Sequence, residues 1–146
     1  MIDVRRAGTG DLEVLVDLHG QFCEIDGHPF DGRRARTAFA PLLADDTHGV
    51  VWIVDTAGAY AVVTWGWSIE AGGAEAVLDE IFVAERDHGV GSLLLEHVLA
   101  DGKRRGLARV FLETEAPNER VRRFYERHGF RADDSIWLSH EFVDLS

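Results

Sequence analysis

The chain has 146 residues, a length that favours one domain, 1–146, and is enough to bury a sizeable core. Its net charge of −11 gives a general field that repels nucleic acid and anionic membranes and draws in cations, so no nucleic acid or membrane partner is expected. One cysteine, Cys23, excludes an internal disulfide and a cysteine metal cluster, and the seven histidines show no ligand spacing, so no metal is expected. No run of ~18 apolar residues occurs and the first residues lack the order of a signal peptide, so the expected location is the cytoplasm.

Residues 2–7 alternate as a short first strand, and Thr9 reads as the cap of a helix with Asp11 and Glu13 in its first turn. Leu12, Leu15, Val16, His19 and Phe22 recur at helical spacing, with His19 read as a packed or edge histidine. Gly27 and Pro29 break that helix, and Asp31 caps a second one in which Pro41 predicts a kink or an end. Residues 50–54, 59–69 and the stretch around Val77 are β-rich runs joined by glycine turns, an antiparallel meander. Trp65 and Trp67 lie two apart and so share a face.

The stretch from Val77 to Leu99 holds the chemistry. It reads as a strand, V-L-D-E-I-F-V, then a short loop with Gly89 and Gly91, then a helix with Leu94, Leu95, Val98 and Leu99 on one face. The glycines permit φ > 0 and close approach of an anion. The amides of Val90, Gly91, Ser92 and Leu93 fall near the first helical turn, where intrahelical acceptors are lacking. Arg86 and His88 flank them. The same residues also suit an ordinary tight strand-to-helix turn. A basic helix end, Lys103 to Gly106, leads to a strand at Arg109 to Glu115. The strand–helix–strand order predicts a parallel neighbour with a right-handed crossover. Asn118 then opens a helix that Gly129 ends, and residues 135–143 alternate as a last strand.

In this order, V-x-x-R-x-x-G-x-G, L-E-x-x-x-x-N and F-Y-E-x-x-G-F, from Val77 to Phe130, resemble the GNAT N-acetyltransferase superfamily. The resemblance implies an α+β fold: a mixed, mostly antiparallel sheet with helices on both faces and a V-shaped splay between two parallel central strands. It implies acetyl-CoA as donor, a primary amine as acceptor, direct attack through a tetrahedral intermediate, and a homodimer. The pantetheine arm would follow the backbone of Ile81, Phe82 and Val83, with Asn118 bonding it. Arg86, His88, Gly89, Val90, Gly91, Ser92 and Leu93 would hold the pyrophosphate. The sequence departs from the family pattern in a loop two residues shorter than usual, in His88 where a lysine or arginine is common, and in Val121 where alanine is usual.

Three carboxylates are candidates for the proton acceptor: Asp79, Glu80 and Glu113. Strict alternation puts Asp79 and Glu80 on opposite faces unless a bulge re-aims one. Tyr125 is the candidate proton donor to the leaving thiolate. Glu24, Asp26 and His28, between the first two helices, and Trp65 and Trp67 are candidates for acceptor contacts. The acidic balance points to a small cationic acceptor. Acetylation of a protein N-terminus or lysine, or a CoA-binding sensor without catalysis, are the alternatives.

Overall fold

A meander of three strands forms the middle of the structure, a computed structural model that describes residues 2–86, 88–114 and 118–145. These are β2 (Gly49–Val54), β3 (Ala59–Ser68) and β4 (Gly73–Val83), paired antiparallel in sequence order. A two-residue β1 (Arg5–Arg6) adds antiparallel to β2, and β5 (Arg109–Phe111) adds parallel to β4, giving the order β1-β2-β3-β4-β5. Helices α1 (Leu12–Asp26) and α2 (Gly32–Ala44) precede β2, and α3 (Val90–Arg104) makes the crossover from β4 to β5. The expected α+β architecture, a mixed and mostly antiparallel sheet with helices on both faces, is therefore present.

Every residue of β2 is buried because both faces of the sheet are covered. Val51, Ile53, Tyr60, Val62 and Phe82 pack with Leu15, Val16, Ala35, Phe39, Leu42 and Leu43 of α1 and α2. The alternate residue Trp52 points the other way and meets His97 of α3 edge-on, with ring centroids 4.3 Å apart. This is the period-2 alternation of a strand serving two cores.

The sheet is shorter at both ends than the sequence predicts. The first strand spans two residues, and β5 stops at Phe111, while residue 115 lies outside the described residues. Thr9 begins a short 3-10 turn and is not a cap. It is Asp11 that closes the turn, its carboxylate accepting the Gly8 amide at 2.8 Å. The Asp31 cap forms as expected, accepting the Arg34 amide at 3.1 Å. Pro41 does not end α2. The helix runs on to Ala44, held by burial of Leu42 and Leu43.

Residues 1–113 form one compact unit and 114–146 a second. The second contains α4 (Glu119–Arg127), capped by the Asn118 side chain, which accepts the Val121 amide at 3.2 Å. Its C-terminus turns at Gly129, φ +89°, where the Phe130 amide donates to the Tyr125 carbonyl. The expected last strand over 135–143 does not form. Ile136, Leu138 and Phe142 do alternate, but the sheet of the described residues does not include this segment, and alternation alone does not make a strand.

Candidate active site

The registers of β3 and β4 slip by one residue at a single point. Val62 pairs with Glu80 and Val63 with Leu78, which leaves Asp79 as the extra residue of a β-bulge. A bulge breaks alternation, so two successive side chains reach the same side of the strand. Asp79 and Glu80 accordingly line one cleft of ≈ 340 Å³ on the α1/α2 face. Its walls include Phe22 and Cys23 from α1, Ala35, Ala38, Phe39 and Leu42 from α2, and Val62 from β3.

The two carboxylates have different surroundings. Glu80 Oε1 accepts from the Tyr60 hydroxyl at 2.8 Å and from His19 Nδ1 at 2.9 Å. Burial first, then the charge of Glu80, pushes the Tyr60 phenol far above its ordinary value, so it stays a donor. His19 Nε2 lies 3.4 Å from Cys23 Sγ. Burial first, then Glu80 and Asp26, push that thiol up, so it remains S–H. Among the described residues nothing donates to Asp79. Its edge is open to solvent, yet the surrounding protein desolvates it and Glu80 repels it. Together these raise its pKa above 3.8, offset in part by His19.

Beyond the bulge the strand offers a second feature. The β4–β5 ladder ends at the Val77–Phe111 pair, while β4 continues to Val83 bonded to β3 alone. The Ala84 amide donates to the Gly58 carbonyl on the β3 side. Amides alternate along a strand, so those of Ile81 and Val83 point to the side β5 has left, and that of Phe82 points to β3. This departure is the start of the expected splay between the parallel strands, with β5 as the edge strand among the described residues.

At the end of β4 the loop delivers α3. Its cap is Gly89, φ +73°, with no side-chain capping bond and no acidic residue in the first turn. Open space surrounds the position a Cβ would take there. The first amides of α3, those of Val90, Gly91 and Ser92, have no acceptor within the helix. Leu93 differs: its amide donates to the Gly89 carbonyl at 3.1 Å and is committed to the helix. Gly91 lies inside the helix and is not among the glycines of positive φ. Arg86 and His88 are exposed on the loop.

The remaining candidates are dispersed. His28 lines the cleft and its Nε2 pairs with Asp26 at 2.7 Å, whereas Glu24 lines a separate cavity with Glu13, Gln21 and Arg36. Trp65 lies toward the C-terminus of α3, under the Arg105 guanidinium at 4.7 Å, with its indole N–H on the Asp46 carbonyl. Trp67 is 75% exposed. Neither tryptophan lines the cleft, nor does the exposed Glu113. Tyr125 belongs to the second unit, half-buried between Phe124 and Phe130, and burial pushes its phenol up to about 12. His19 and Tyr60 were not among the candidates. The available signal for His19 was a polar ring in the apolar stripe of α1. Tyr60 carried no such mark. Among the described residues no cluster of three or more His, Cys, Asp or Glu is arranged to hold a metal ion, and no helix is long and apolar enough to cross a membrane.

Comparison with known structures finds the same architecture. An integron cassette protein from the mobile metagenome of Cole Harbour Salt Marsh is 29% identical with a TM-score of 0.85, over 97% of this chain and 91% of its own. An inferred acetyltransferase from Arthrobacter sp. FB24 is 25% identical with a TM-score of 0.83, over 96% of both chains. A predicted acetyltransferase from Clostridium acetobutylicum, solved with acetyl-CoA, shares the fold at 20% identity and a TM-score of 0.78, over 97% of this chain and 96% of its own. No curated protein matches the sequence significantly. The model of the acetyltransferase (GNAT) family matches residues 15–130. That span runs from the first helix of the cleft through the bulged strand and the glycine-capped helix to the end of the F-Y-E-x-x-G-F motif, and on it this chain belongs to the GNAT acetyltransferase family.

Proposed function

We propose that this chain is an acetyl-CoA-dependent N-acetyltransferase acting on the primary amine of a small cationic molecule. The observation that carries the reading is the bulge that brings Asp79 and Glu80 into one cleft beside the open edge of β4.

The groups present fit a CoA thioester. The amides of Ile81 and Val83 are available on the open side of β4 for an extended, amide-bearing arm. The first amides of α3, with an uncapped and acid-free first turn and Arg86 nearby, suit a diphosphate. Acetyl-CoA supplies an activated acyl carbon and a thiolate leaving group of ordinary thiol pKa near 8.5.

The main barrier on the protein's side is the acceptor's proton. An alkyl ammonium titrates near 10.4, so at pH 7 its nucleophilic form is scarce by roughly 4–5 kcal/mol. The two carboxylates attract the ammonium, and Asp79, directly or through one water, accepts its proton. Glu80, held by Tyr60 and His19, contributes a fixed negative charge. The Val83 amide stabilises negative charge at the acyl oxygen. The family resemblance assigns the proton for the departing sulfur to Tyr125, whose phenol is held above its ordinary value by burial and so stays protonated at neutral pH. Overall an ammonium and an acetyl thioester yield an acetamide, a thiol and one released proton.

We read the protein as cytoplasmic, a single catalytic domain and, by analogy with its family, a homodimer. The test is thiol release from acetyl-CoA by the purified protein over a panel of primary amines. Amine-dependent release is expected, with Tyr125→Phe slowing turnover while leaving CoA affinity nearly intact by calorimetry. Calorimetric binding of CoA with no release from any amine or peptide overturns the enzyme reading in favour of a binding module.

A further inference from the structure

The cleft separates charge from apolar surface. Its carboxylates Asp79 and Glu80 come from β4, while Phe22, Ala35, Ala38, Phe39, Leu42 and Val62 supply walls without charge. Phe39 reaches across α2 to set its ring edge-on to both Tyr60 and His19, with centroids 6.1 Å apart in each case. An acceptor that fills this space has an ammonium at the bulge and an apolar body between the helices.

Asp31 and Arg34 also line the cleft, the Asp31 carboxylate capping α2 by accepting the Arg34 amide. With the ammonium at the bulge, a carboxylate on the carbon next to the amine would be set against Asp79 and Glu80. Two like charges at that distance, one in a desolvated site, oppose binding.

We infer that the acceptor is a primary amine with an apolar and preferably aromatic body, and that it is not an α-amino acid. The inference rests on the acetyltransferase reading and narrows it. Specificity is set by the α2 face at Ala35, Ala38 and Phe39. Ala38 is solvent-accessible on α2, so a larger side chain there enters the cleft without disturbing the core.

The test compares kcat/KM for 2-phenylethylamine, ethylamine and phenylalanine with acetyl-CoA as donor. Phenylethylamine is expected to exceed each of the others by about tenfold or more, the scale at which a hydrophobic pocket discriminates. Ala38→Trp is expected to lower the ratio of phenylethylamine to ethylamine by about tenfold, as the indole takes the space of the body. Thiol release that is faster with ethylamine or phenylalanine overturns the substrate class and leaves the acetyltransferase reading standing. So does an Ala38→Trp protein of unchanged circular dichroism and unchanged selectivity. Release with none of these amines, nor with any other amine or peptide of the wider panel, overturns both readings.

Discussion

Asp79 and Glu80 are chemically near-identical neighbours that their partners drive apart. Glu80 accepts two hydrogen bonds, from Tyr60 and His19, whereas Asp79 is desolvated, repelled and without a donor among the described residues. Raised basicity is what a proton acceptor near neutral pH requires, so the roles divide: Asp79 takes the proton and Glu80 holds the field. Asp79→Asn is expected to lower kcat by about 10²–10⁴, and wild-type kcat at saturating amine should fall on acidification through a pKa above 3.8. The same shift acts on stability. Because the folded-state pKa is raised, Asp79 costs stability at neutral pH, where the folded protein must hold its charge, and costs nothing below 3.8, where it is protonated folded or unfolded. Asp79→Asn should therefore raise Tm at pH 7, with the gain shrinking as pH falls toward 3.8. An equal gain at all pH values would count against desolvation as the cause. Of this the acid pair was legible in V-L-D-E-I-F-V, but not its shared orientation. The bulge is a property of the register against β3, which no single strand encodes. His19 does pack, against Phe30 and Phe39, but its bond to Glu80 was not legible because that partner is 61 residues away.

The elements were easiest to read where a long apolar run met a glycine. The β4–loop–α3 segment and its crossover to a parallel β5 follow from sequence order alone. Helix α3 begins at Val90 with Gly89 as its cap, which commits the Leu93 amide to the helix and leaves Val90, Gly91 and Ser92 as the first amides. At φ +73° an L side chain costs about 1–2 kcal/mol, while nothing lies where its Cβ would go. Gly89→Ala is thus expected to destabilise by about 1–2 kcal/mol in urea unfolding. It should also weaken CoA binding in calorimetry, because the methyl stands where the anion approaches. A loss of stability with unchanged CoA affinity would remove this helix end from the donor site. The residues from 131 on show the limit of pattern reading. Their alternation is real, but a strand is made by its neighbour's ladder, and the sheet of the described residues does not extend to this segment.

At the scale of the whole molecule the net charge of −11 treats the two proposed substrates in opposite ways. A cationic amine is drawn toward the cleft and a CoA ester is repelled everywhere except at the α3 end. Raising ionic strength from 0.05 to 0.5 M, about a threefold contraction of the screening length, should raise KM for the amine and leave KM for acetyl-CoA unchanged or lower. Steady-state titrations of each substrate check the sign, and an amine KM insensitive to salt would remove the general field from the account. Composition alone announced this charge, but only the folded sheet shows how β4 divides its surfaces. Its side-chain face looks into the helical cleft and its main-chain edge looks toward the gap left by β5. On the proposed function the two reactants therefore arrive by separate doors into one room. Neither needs to vacate for the other to enter, so both stand on the strand when the acyl group changes hands. No side chain has to ferry it between them, and Cys23 can remain a bystander thiol.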